Sequence, residues 1–309
     1  MKTKWTRRDI PKMSGKTAIV TGANSGLGFE ITLGLAAAGA QVILACRDKA
    51  RTEAAMGRIR QAAPAANLAF MPLDLADLAS VRAFAQRFSA GHAKLDLLCN
   101  NAGVMALPLR RTQDGFEMQI GTNHLGHFAL TGLLLPALRA TPGARVATMS
   151  SGFHKPGRIR FDDLNWNEGY SKWPAYFQSK LANLLFMFEL QRRFSRHGIK
   201  AISVAAHPGY AATNLQLAGP EMENSGLGKT LMRLANTYVA QSAAQGALPM
   251  LCAATSADIR GGDYIGPDGL GEMRGFPRKV GCSARARDAA AATRLWTLSE
   301  QLTGVTCLN

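Results

Sequence analysis

The sequence has few cysteines, and they show no pairing pattern. The count is odd in 309 residues and no C-x-x-C pair occurs; the cysteines are Cys46, Cys99, Cys252, Cys282 and Cys307. Cys46 and Cys99 each end an apolar run, where an unpaired thiol packs as a small hydrophobic group. This pattern is typical of reduced thiols in a cytosolic protein.

Long apolar runs are also missing. Apolar stretches such as 129–138 are much shorter than the ~20 residues that a bilayer span requires. Residues 1–13 are charged and contain no apolar core, so they do not resemble a secretory signal peptide. The sequence therefore predicts a cytoplasmic protein without stable membrane insertion.

Acidic residues are scarce beside basic ones, at 21 against 36, which gives a formal net charge of +15. Such a charge is compatible with binding to nucleic acid or to a membrane surface. However, the lysines and arginines are dispersed, never more than two in succession, and no nucleic-acid-binding module is visible. The distribution favours an alkaline globular protein that attracts small anionic ligands, and no nucleic-acid partner is predicted.

Short apolar runs alternate with amphipathic segments along the chain. Strands are predicted at 17–21, 41–46, 68–72, 95–99, 145–150 and 200–206, and helices at 29–38, 48–62, 77–88, 116–138, 175–197, 239–253 and 288–302. The helix at 116–138 is predicted to bend near Gly121 and Gly126. No linker interrupts the series. The alternation predicts an α/β fold of one Rossmann domain over 1–309, with a doubly wound parallel sheet and helices on both faces.

The segment at about 215–238 breaks this rhythm, because leucines and methionines are spaced among glycines there. One interpretation is a surface helix with an apolar face. The other, which its place after the sixth strand favours, is a lid over an apolar site.

A glycine-rich turn follows the first strand and has the sequence Gly22-Ala23-Asn24-Ser25-Gly26-Leu27-Gly28. Glycines let the backbone turn tightly and approach a pyrophosphate, and the following helix offers free N–H groups to that anion. The alternative is that these glycines serve only helix–strand packing. The strand–turn–helix context favours a dinucleotide site.

Further motifs stand in order along the chain. They are Asn100-Asn101-Ala102-Gly103, Asn123, Ser150-Ser151, Tyr176-x-x-x-Lys180 and His207-Pro208-Gly209. With the G-x-x-x-G-x-G turn, this series resembles the short-chain dehydrogenase/reductase family from about Lys16 to the C-terminus. Within that family the likeness is to the retinol-dehydrogenase-like and protochlorophyllide-reductase-like branch. It rests on His207-Pro208-Gly209-Tyr210, on the stretch after Ser179, and on a 25-residue spacing from Ser151 to Tyr176 that an insertion at about 152–174 explains.

The resemblance implies a nicotinamide cofactor. The implied binding residues are Gly22, Asn24, Ser25, Gly26, Leu27, Gly28, Arg47, Asp74, Leu75, Asn101, Ala102, Gly103, Tyr176, Lys180, Pro208, Gly209 and Thr213. Arg47 ends the second strand, where a guanidinium suits a 2′-phosphate and predicts NADP, although Asp48 keeps NAD open. Arg47 as a solvated surface residue and Asp74 as a turn cap are the alternatives.

Tyr176 and Lys180 are separated by one helical turn. A nearby ammonium favours a phenolate, so this spacing predicts that Tyr176 titrates toward neutral pH and acts as the general acid/base. The resemblance gives Ser151, with Ser150 as its neighbour, the role of binding the substrate oxygen. It gives Asn123 a water that relays protons to Lys180, and the alternative there is a simple helix kink. His124, His127 and His207 match no zinc spacing and are interpreted as structural, so no metal is predicted.

Large apolar side chains are available for a substrate pocket, namely Met105, Phe153, Trp173, Phe177 and Tyr210. They predict a small lipophilic substrate, so that the protein is an alcohol dehydrogenase or carbonyl reductase that interconverts a lipophilic alcohol and its aldehyde or ketone. Reduction of a C=C bond and a catalytically silent cofactor sensor are the alternative functions. The apolar face of 175–197 is compatible with a homo-oligomer, and a monomer stays equally open.

Overall fold

A computed structural model describes residues 2, 4–210 and 241–308. The described residues form one sheet of eight strands in the order β3-β2-β1-β4-β5-β6-β7-β8. The strands are β1 Thr17–Thr21, β2 Gln41–Cys46, β3 Asn67–Pro72, β4 Leu97–Asn100, β5 Arg145–Met149, β6 Ile202–Ala206, β7 Tyr264–Pro267 and β8 Pro277–Lys279. Strands β1 to β7 are parallel, and only the pair of β7 and β8 within this sheet is antiparallel.

Helices cover both faces of the sheet. They are α1 Gly26–Ala37, α2 Lys49–Ala62, α3 Leu78–Gly91, α4 Met118–Ile120, α5 Gly126–Leu133, α6 Leu135–Arg139, α7 Lys172–Arg196, α8 Ala243–Gly246, α9 Leu248–Thr255 and α10 Ala289–Thr303. Short 3-10 turns occur at Arg7–Asp9, Gly152–His154, Leu270–Glu272 and Ala284–Arg287. This arrangement confirms the predicted doubly wound α/β fold.

Side-chain alternation along β1 shows how the sheet divides two apolar cores. Ala18 and Val20 pack with α1, α2 and α9 on one face, whereas Ile19 packs with α3, α5 and α7 on the other. All three side chains are fully buried. A strand covered on both faces must be apolar at every position, which explains the continuous TAIVT run.

The predicted bend of helix 116–138 near Gly121 and Gly126 is confirmed, and the structure divides this segment into four parts. A π-helical turn, Gly121–Leu125, separates α4 from α5, and Pro136 lies in the first turn of the separate helix α6. Gly126 packs so tightly that a Cβ there would lie 2.4 Å from the carbonyl oxygen of Leu75. The close contact with the loop at Leu75 therefore accompanies a departure from regular α-helical geometry in this segment.

Several other boundaries differ from the prediction. Helix α1 begins at Gly26, three residues before the predicted start, because the glycine turn itself enters the helix. Strands β7 and β8 were not predicted, since each is short and carries proline. The described part of the predicted helix 239–253 forms α8 and α9.

The proposed lid at 215–238 and Thr213 lie outside the described residues. Within the described part of the chain, no helix is both long enough and apolar enough to cross a membrane.

Candidate active site

The glycine turn between β1 and α1 depends on two kinds of backbone constraint. Gly22 and Gly26 have φ angles of +64° and +52°, in the left-handed region that favours glycine. Gly28 has ordinary φ, but a Cβ there would lie 2.1 Å from the carbonyl oxygen of Gly22 and 2.8 Å from Nδ2 of Asn101. The predicted turn is therefore built for close backbone approach.

A cleft of about 1030 Å³ opens from this turn along the carboxyl ends of the strands. Its walls include every predicted cofactor and catalytic residue among the described ones except Asn123. They are Gly22, Asn24, Ser25, Gly26, Leu27, Gly28, Arg47, Asp74, Leu75, Asn101, Ala102, Gly103, Ser151, Tyr176, Lys180, Pro208 and Gly209. Ligand sites of doubly wound sheets occur at this edge.

Two features of the cleft wall suit a dinucleotide. The hydroxyl of Ser25 makes no capping bond to α1, although Ser25 is the residue before its first turn. The side-chain oxygen Oδ1 of Asn101 is buried and has no hydrogen-bond partner among the described residues. Together with the tight approach at Gly28, the open helix N-terminus fits a pyrophosphate held by main-chain N–H groups.

One end of the cleft carries two arginines and two aspartates, which contact each other in pairs. The carboxylate of Asp48 caps α2 by accepting from the N–H of Arg51 at 2.9 Å, and it lies 3.4 Å from Nε of the same arginine. Arg47 is 71% exposed and lies 3.8 Å from the carboxylate of Asp74. Asp74 also accepts a hydrogen bond from the N–H of Ala76. Its carboxylate therefore caps this turn, and the residue also lines the cleft.

Arg51 lines the cleft and was missed by the sequence analysis. The spacing between Asp48 and Arg51 could have predicted this position. Arg51 follows the capping aspartate by three residues and therefore lies in the first turn of α2, near Arg47 in the sequence.

Thr21 organises the base of the cleft. Its Oγ1 accepts from the N–H groups of Asn101 and Ala102, both at 2.9 Å, which occupies its two lone pairs. The Thr21 hydroxyl is also 2.9 Å from Nε2 of His127, whose Nδ1 is 3.0 Å from the carbonyl oxygen of Asn123. Thr21 therefore donates to Nε2, and Nδ1–H of His127 donates to Asn123.

Burial lowers the pKa of His127 to about 4, so this imidazole is neutral at physiological pH. Burial likewise lowers the pKa of His124 to about 3, and its Nε2 lies 2.9 Å from the hydroxyl of Ser299. His207 has Nε2 3.1 Å from the carboxylate of Glu272. Each of the three predicted structural histidines thus has a protein partner.

Asn123 lies in the π-helical turn, and its amide braces the loop opposite. Oδ1 accepts from the N–H of Val104 at 2.8 Å, while Nδ2 donates to the Val104 carbonyl and to Ser179, both at 2.9 Å. The helix irregularity and the catalytic prediction thus fall on the same residue. The proton-relay role of Asn123 stays a prediction.

Ser150 and Ser151 have different partners at the end of β5. The hydroxyl of Ser150 donates to the carbonyl of Lys180 at 2.8 Å. Ser151 faces the cleft, and its side chain hydrogen-bonds that of Tyr176. Ser151 also caps the 3-10 turn Gly152–His154 by accepting from the N–H of Phe153 at 3.2 Å.

Tyr176 and Lys180 share the cleft wall, but the predicted lowering of the tyrosine pKa is wrong for this structure. Burial raises the pKa of Tyr176 to about 12, and the hydrogen bond from Ser151 offsets only part of this. Nζ of Lys180 lies over the ring of Tyr176, 5.7 Å from the ring centroid. Burial also lowers the pKa of Lys180 to about 8.

The far end of the cleft is aromatic. Phe153 stacks on Phe177 with ring centroids 5.5 Å apart, and Trp173 lies 5.7 Å from Phe153 and 6.4 Å from Tyr176. The predicted pocket residues Met105, Phe153, Trp173 and Tyr210 line the cleft, whereas Phe177 supports the aromatic cluster from behind.

The loop after β6 closes the opposite wall. Gly209 has φ +65°, and a Cβ there would lie 2.3 Å from the carbonyl oxygen of Met273. The N–H of Tyr210 donates to that carbonyl at 2.7 Å, so the segment around Met273 fixes the path of Pro208 and Gly209 along the cleft.

Comparison with known proteins gives consistent matches across the chain. The family described as short chain dehydrogenase matches residues 16–224. Retinol dehydrogenase 14 of Mus musculus is 41% identical, with 95% of this chain and 87% of the relative covered. Polyprenol dehydrogenase of Danio rerio is 40% identical, with 96% and 89% covered. The crystal structure of an uncharacterized protein from Mycobacterium paratuberculosis is 46% identical, covers 98% of both chains and has a TM-score of 0.80.

Proposed function

Because this chain belongs to the short-chain dehydrogenase family and is an NAD(P)-dependent oxidoreductase of alcohols and carbonyls, we propose that its substrate is lipophilic and that NADP(H) is its preferred cofactor. The observation that carries this proposal is the meeting of Ser151, Tyr176 and an aromatic wall in one cleft with the glycine turn. The domain prediction is retained here, with 1–309 as one catalytic unit.

The residues at the glycine turn are proposed to hold the dinucleotide through main-chain N–H groups, with Asn101 and Ser25 adding side-chain contacts. Bound in this cleft, the nicotinamide would supply or accept the hydride at the substrate carbon. Lys180 is proposed to hold the nicotinamide ribose, and Pro208 and Gly209 to bound the site on the other side.

Tyr176 is proposed to give the proton to the carbonyl oxygen during reduction and to take it from the alcohol during oxidation. Ser151 donates a hydrogen bond to the same oxygen and orients it toward the phenol. Lys180 is buried beneath the ring, and its positive charge favours the phenolate when the proton leaves. The π-helical turn at Asn123 would hold the loop at Val104 in register with Lys180.

Preference for NADP is supported by the charges at the end of β2. Cys46 ends this strand with a thiol that accepts from the N–H of Ala23 at 3.1 Å, so no carboxylate stands there to bind a ribose 2′-hydroxyl. Asp48 is committed to capping α2 and to Arg51. The guanidinium groups of Arg47 and Arg51 remain at the wall and suit a 2′-phosphate.

A lipophilic substrate is supported by the aromatic wall formed by Phe153, Trp173 and Phe177. The similar proteins described above are named for retinol and polyprenol, both lipophilic alcohols. Burial of each CH₂ group against such a wall contributes about 0.8 kcal/mol. A long apolar alcohol therefore gains much more from this cleft than a short one.

The test is steady-state oxidation of retinol and of ethanol by the purified chain, each with NADP and with NAD. We expect kcat/KM for retinol with NADP to exceed that for ethanol by at least about a hundredfold. Trp173→Ala should raise the KM for retinol and leave that for ethanol nearly unchanged. Equal kcat/KM for the two alcohols would refute the lipophilic substrate, and a preference for NAD would refute the cofactor assignment.

A further inference from the structure

We propose that His154 is a positioning residue that holds Ser151 in its catalytic orientation through the Ser151 carbonyl. The inference rests on the proposed role of Ser151 in binding the substrate oxygen. His154 lies in the insertion between Ser151 and Tyr176, and its side chain does not line the cleft.

Three donors converge on the carbonyl oxygen of Ser151. Nδ1 of His154 lies 2.7 Å away, the main-chain N–H of His154 donates at 3.0 Å, and the hydroxyl of Tyr264 lies 3.4 Å away. Tyr264 is also within hydrogen-bond reach of the Ser150 side chain. The peptide that follows the catalytic serine is therefore held by residues that do not line the cleft.

The proton on His154 is assigned by its second partner. The main-chain N–H of Ser283 donates to Nε2 of His154 at 3.1 Å, and an amide nitrogen can only donate. Nε2 is therefore the unprotonated ring nitrogen, and the proton resides on Nδ1. That nitrogen then donates to Ser151, so the segment at Ser283 fixes the tautomer that holds the serine.

Packing keeps the imidazole in this orientation. His154 is 1% exposed, and its ring meets that of Tyr264 edge-on with centroids 5.6 Å apart. In contrast, the neighbouring Phe153 is 42% exposed. The three-residue turn after Ser151 is too short to be stable by its own hydrogen bonds. The buried His154 side chain therefore fixes the conformation of this turn through its contacts with Ser151, Ser283 and Tyr264.

The orientation of the carbonyl is linked to that of the catalytic hydroxyl. Ser151 has extended backbone angles, φ −158° and ψ 156°, and its Oγ accepts from the N–H of Phe153 within the same turn. Rotation of the peptide after Ser151 would displace the N–H of Phe153, so the hydroxyl would lose this hydrogen bond. Misplacement of a substrate-binding hydroxyl lowers kcat more than it changes cofactor affinity.

Two substitutions of His154 test the roles of its two ring nitrogens one at a time. In His154→Asn the amide nitrogen stands at the Nδ1 position and can still donate to Ser151. In His154→Gln the amide stands at the Nε2 position, so the bond from Ser283 is kept and the donation to Ser151 is lost. We expect His154→Gln to lower kcat about tenfold and His154→Asn to restore most of that loss, with dinucleotide Kd unchanged in both.

His92→Gln is the matched control, because His92 stacks on Phe88 far from the cleft. It should leave kcat unchanged. Thermal unfolding of each variant accompanies the kinetics. Equal losses of kcat in His154→Asn and His154→Gln, in step with their losses of stability, would show a merely structural histidine and overturn the inference.

The second experiment repeats His154→Gln in a Ser151→Ala background. If His154 acts through the serine hydroxyl, the double variant has the kcat of Ser151→Ala alone. A full additional tenfold loss would overturn the inference and leave the role of Ser151 intact. Wild-type kcat in Ser151→Ala would instead refute the proposed role of Ser151 and with it this dependence.

A readout independent of activity is the imidazole tautomer. In ¹⁵N-histidine-labelled wild-type protein, NMR should show His154 protonated at Nδ1 and unprotonated at Nε2. Protonation at Nε2 would overturn the inference whatever the kinetics show.

Discussion

The two sides of the cleft are built from different materials. On the glycine-turn side, 21–28 and 100–103, the surface is largely main chain, and its shape depends on atoms that Gly22 and Gly28 lack. On the tyrosine side, 150–154 and 176–180, the surface is formed by side chains, among them the buried Tyr176 and Lys180 to which we assign the chemistry. We expect added side-chain atoms to impair the glycine-turn side, and removal of side-chain atoms to impair the tyrosine side. Four experiments test this contrast.

The largest effect is expected for Tyr176→Phe, which removes one oxygen from the tyrosine side. The substrate oxygen then loses the side chain that exchanges its proton, so kcat should fall by about 10²- to 10⁴-fold. Dinucleotide Kd, measured by fluorescence titration, should stay within about twofold. Near wild-type turnover in this variant would contradict the proposed mechanism.

Gly28→Ala makes the opposite change by adding one carbon to the glycine-turn side. The new Cβ would lie 2.1 Å from the carbonyl oxygen of Gly22, so the turn must move. We expect dinucleotide Kd to rise at least tenfold and the free energy of unfolding to fall by about 1–3 kcal/mol. Titration and urea unfolding measure both.

Gly57→Ala is the control for that substitution, because Gly57 lies in α2 and a Cβ there meets no atom within 4 Å. It should leave dinucleotide Kd unchanged and stabilise the chain by about 0.5–1 kcal/mol. A similar Kd in Gly28→Ala and wild type would show that the turn does not approach the dinucleotide closely.

Arg47→Ala tests the one place where the glycine-turn side uses a charged side chain. Loss of this guanidinium should lower kcat/KM with NADPH about tenfold and leave kcat/KM with NADH nearly unchanged. Arg60→Ala, at the exposed end of α2, is the matched control. Equal losses with both cofactors would argue for a structural role of the ion pair with Asp74.

The smallest effect is expected from His127, which joins the two sides by bridging Thr21 and Asn123. Its pKa is about 4 in the folded chain and ordinarily 6.5, so the unfolded chain binds the proton first as pH falls. The stability that depends on neutral His127 is therefore present above pH 6.5 and is lost as pH falls toward 4, by about 1 kcal/mol between pH 7 and pH 5.5.

The measurement is the free energy of urea unfolding across that pH range. His127→Gln should show a smaller decrease than wild type, even if it is less stable at pH 7. An identical pH dependence in the variant would assign the decrease to other groups, such as His124, whose pKa is shifted in the same direction.

The same contrast explains what the sequence could predict. Strands β1 and β2 were predicted to the residue, because a strand buried on both faces is an uninterrupted apolar run. The glycine turn was predicted from the spacing of its glycines. Gly22 and Gly26 have positive φ angles, and Gly28 lies too close to neighbouring atoms to carry a Cβ. Buried strands and glycine turns can be predicted because the residues that determine them are close together in the sequence.

Features that depend on distant residues were not predicted. The tautomer of His154 is set by Ser283, which lies 129 residues away. The pKa of Tyr176 rises because of burial, which the i, i+4 spacing to Lys180 does not reveal. Strand β7 has a glycine and a proline in four residues, and its pairing with β6 and β8 makes it a strand.

Strand β8 has a consequence for self-association. In the sheet as described it is an outer strand of three residues that runs against β7, and it carries exposed Arg278 and Lys279 after a proline. A second copy pairing there would bring like charges together along a strand too short to offset their repulsion. The sheet is thereby protected from edge-to-edge aggregation at β8.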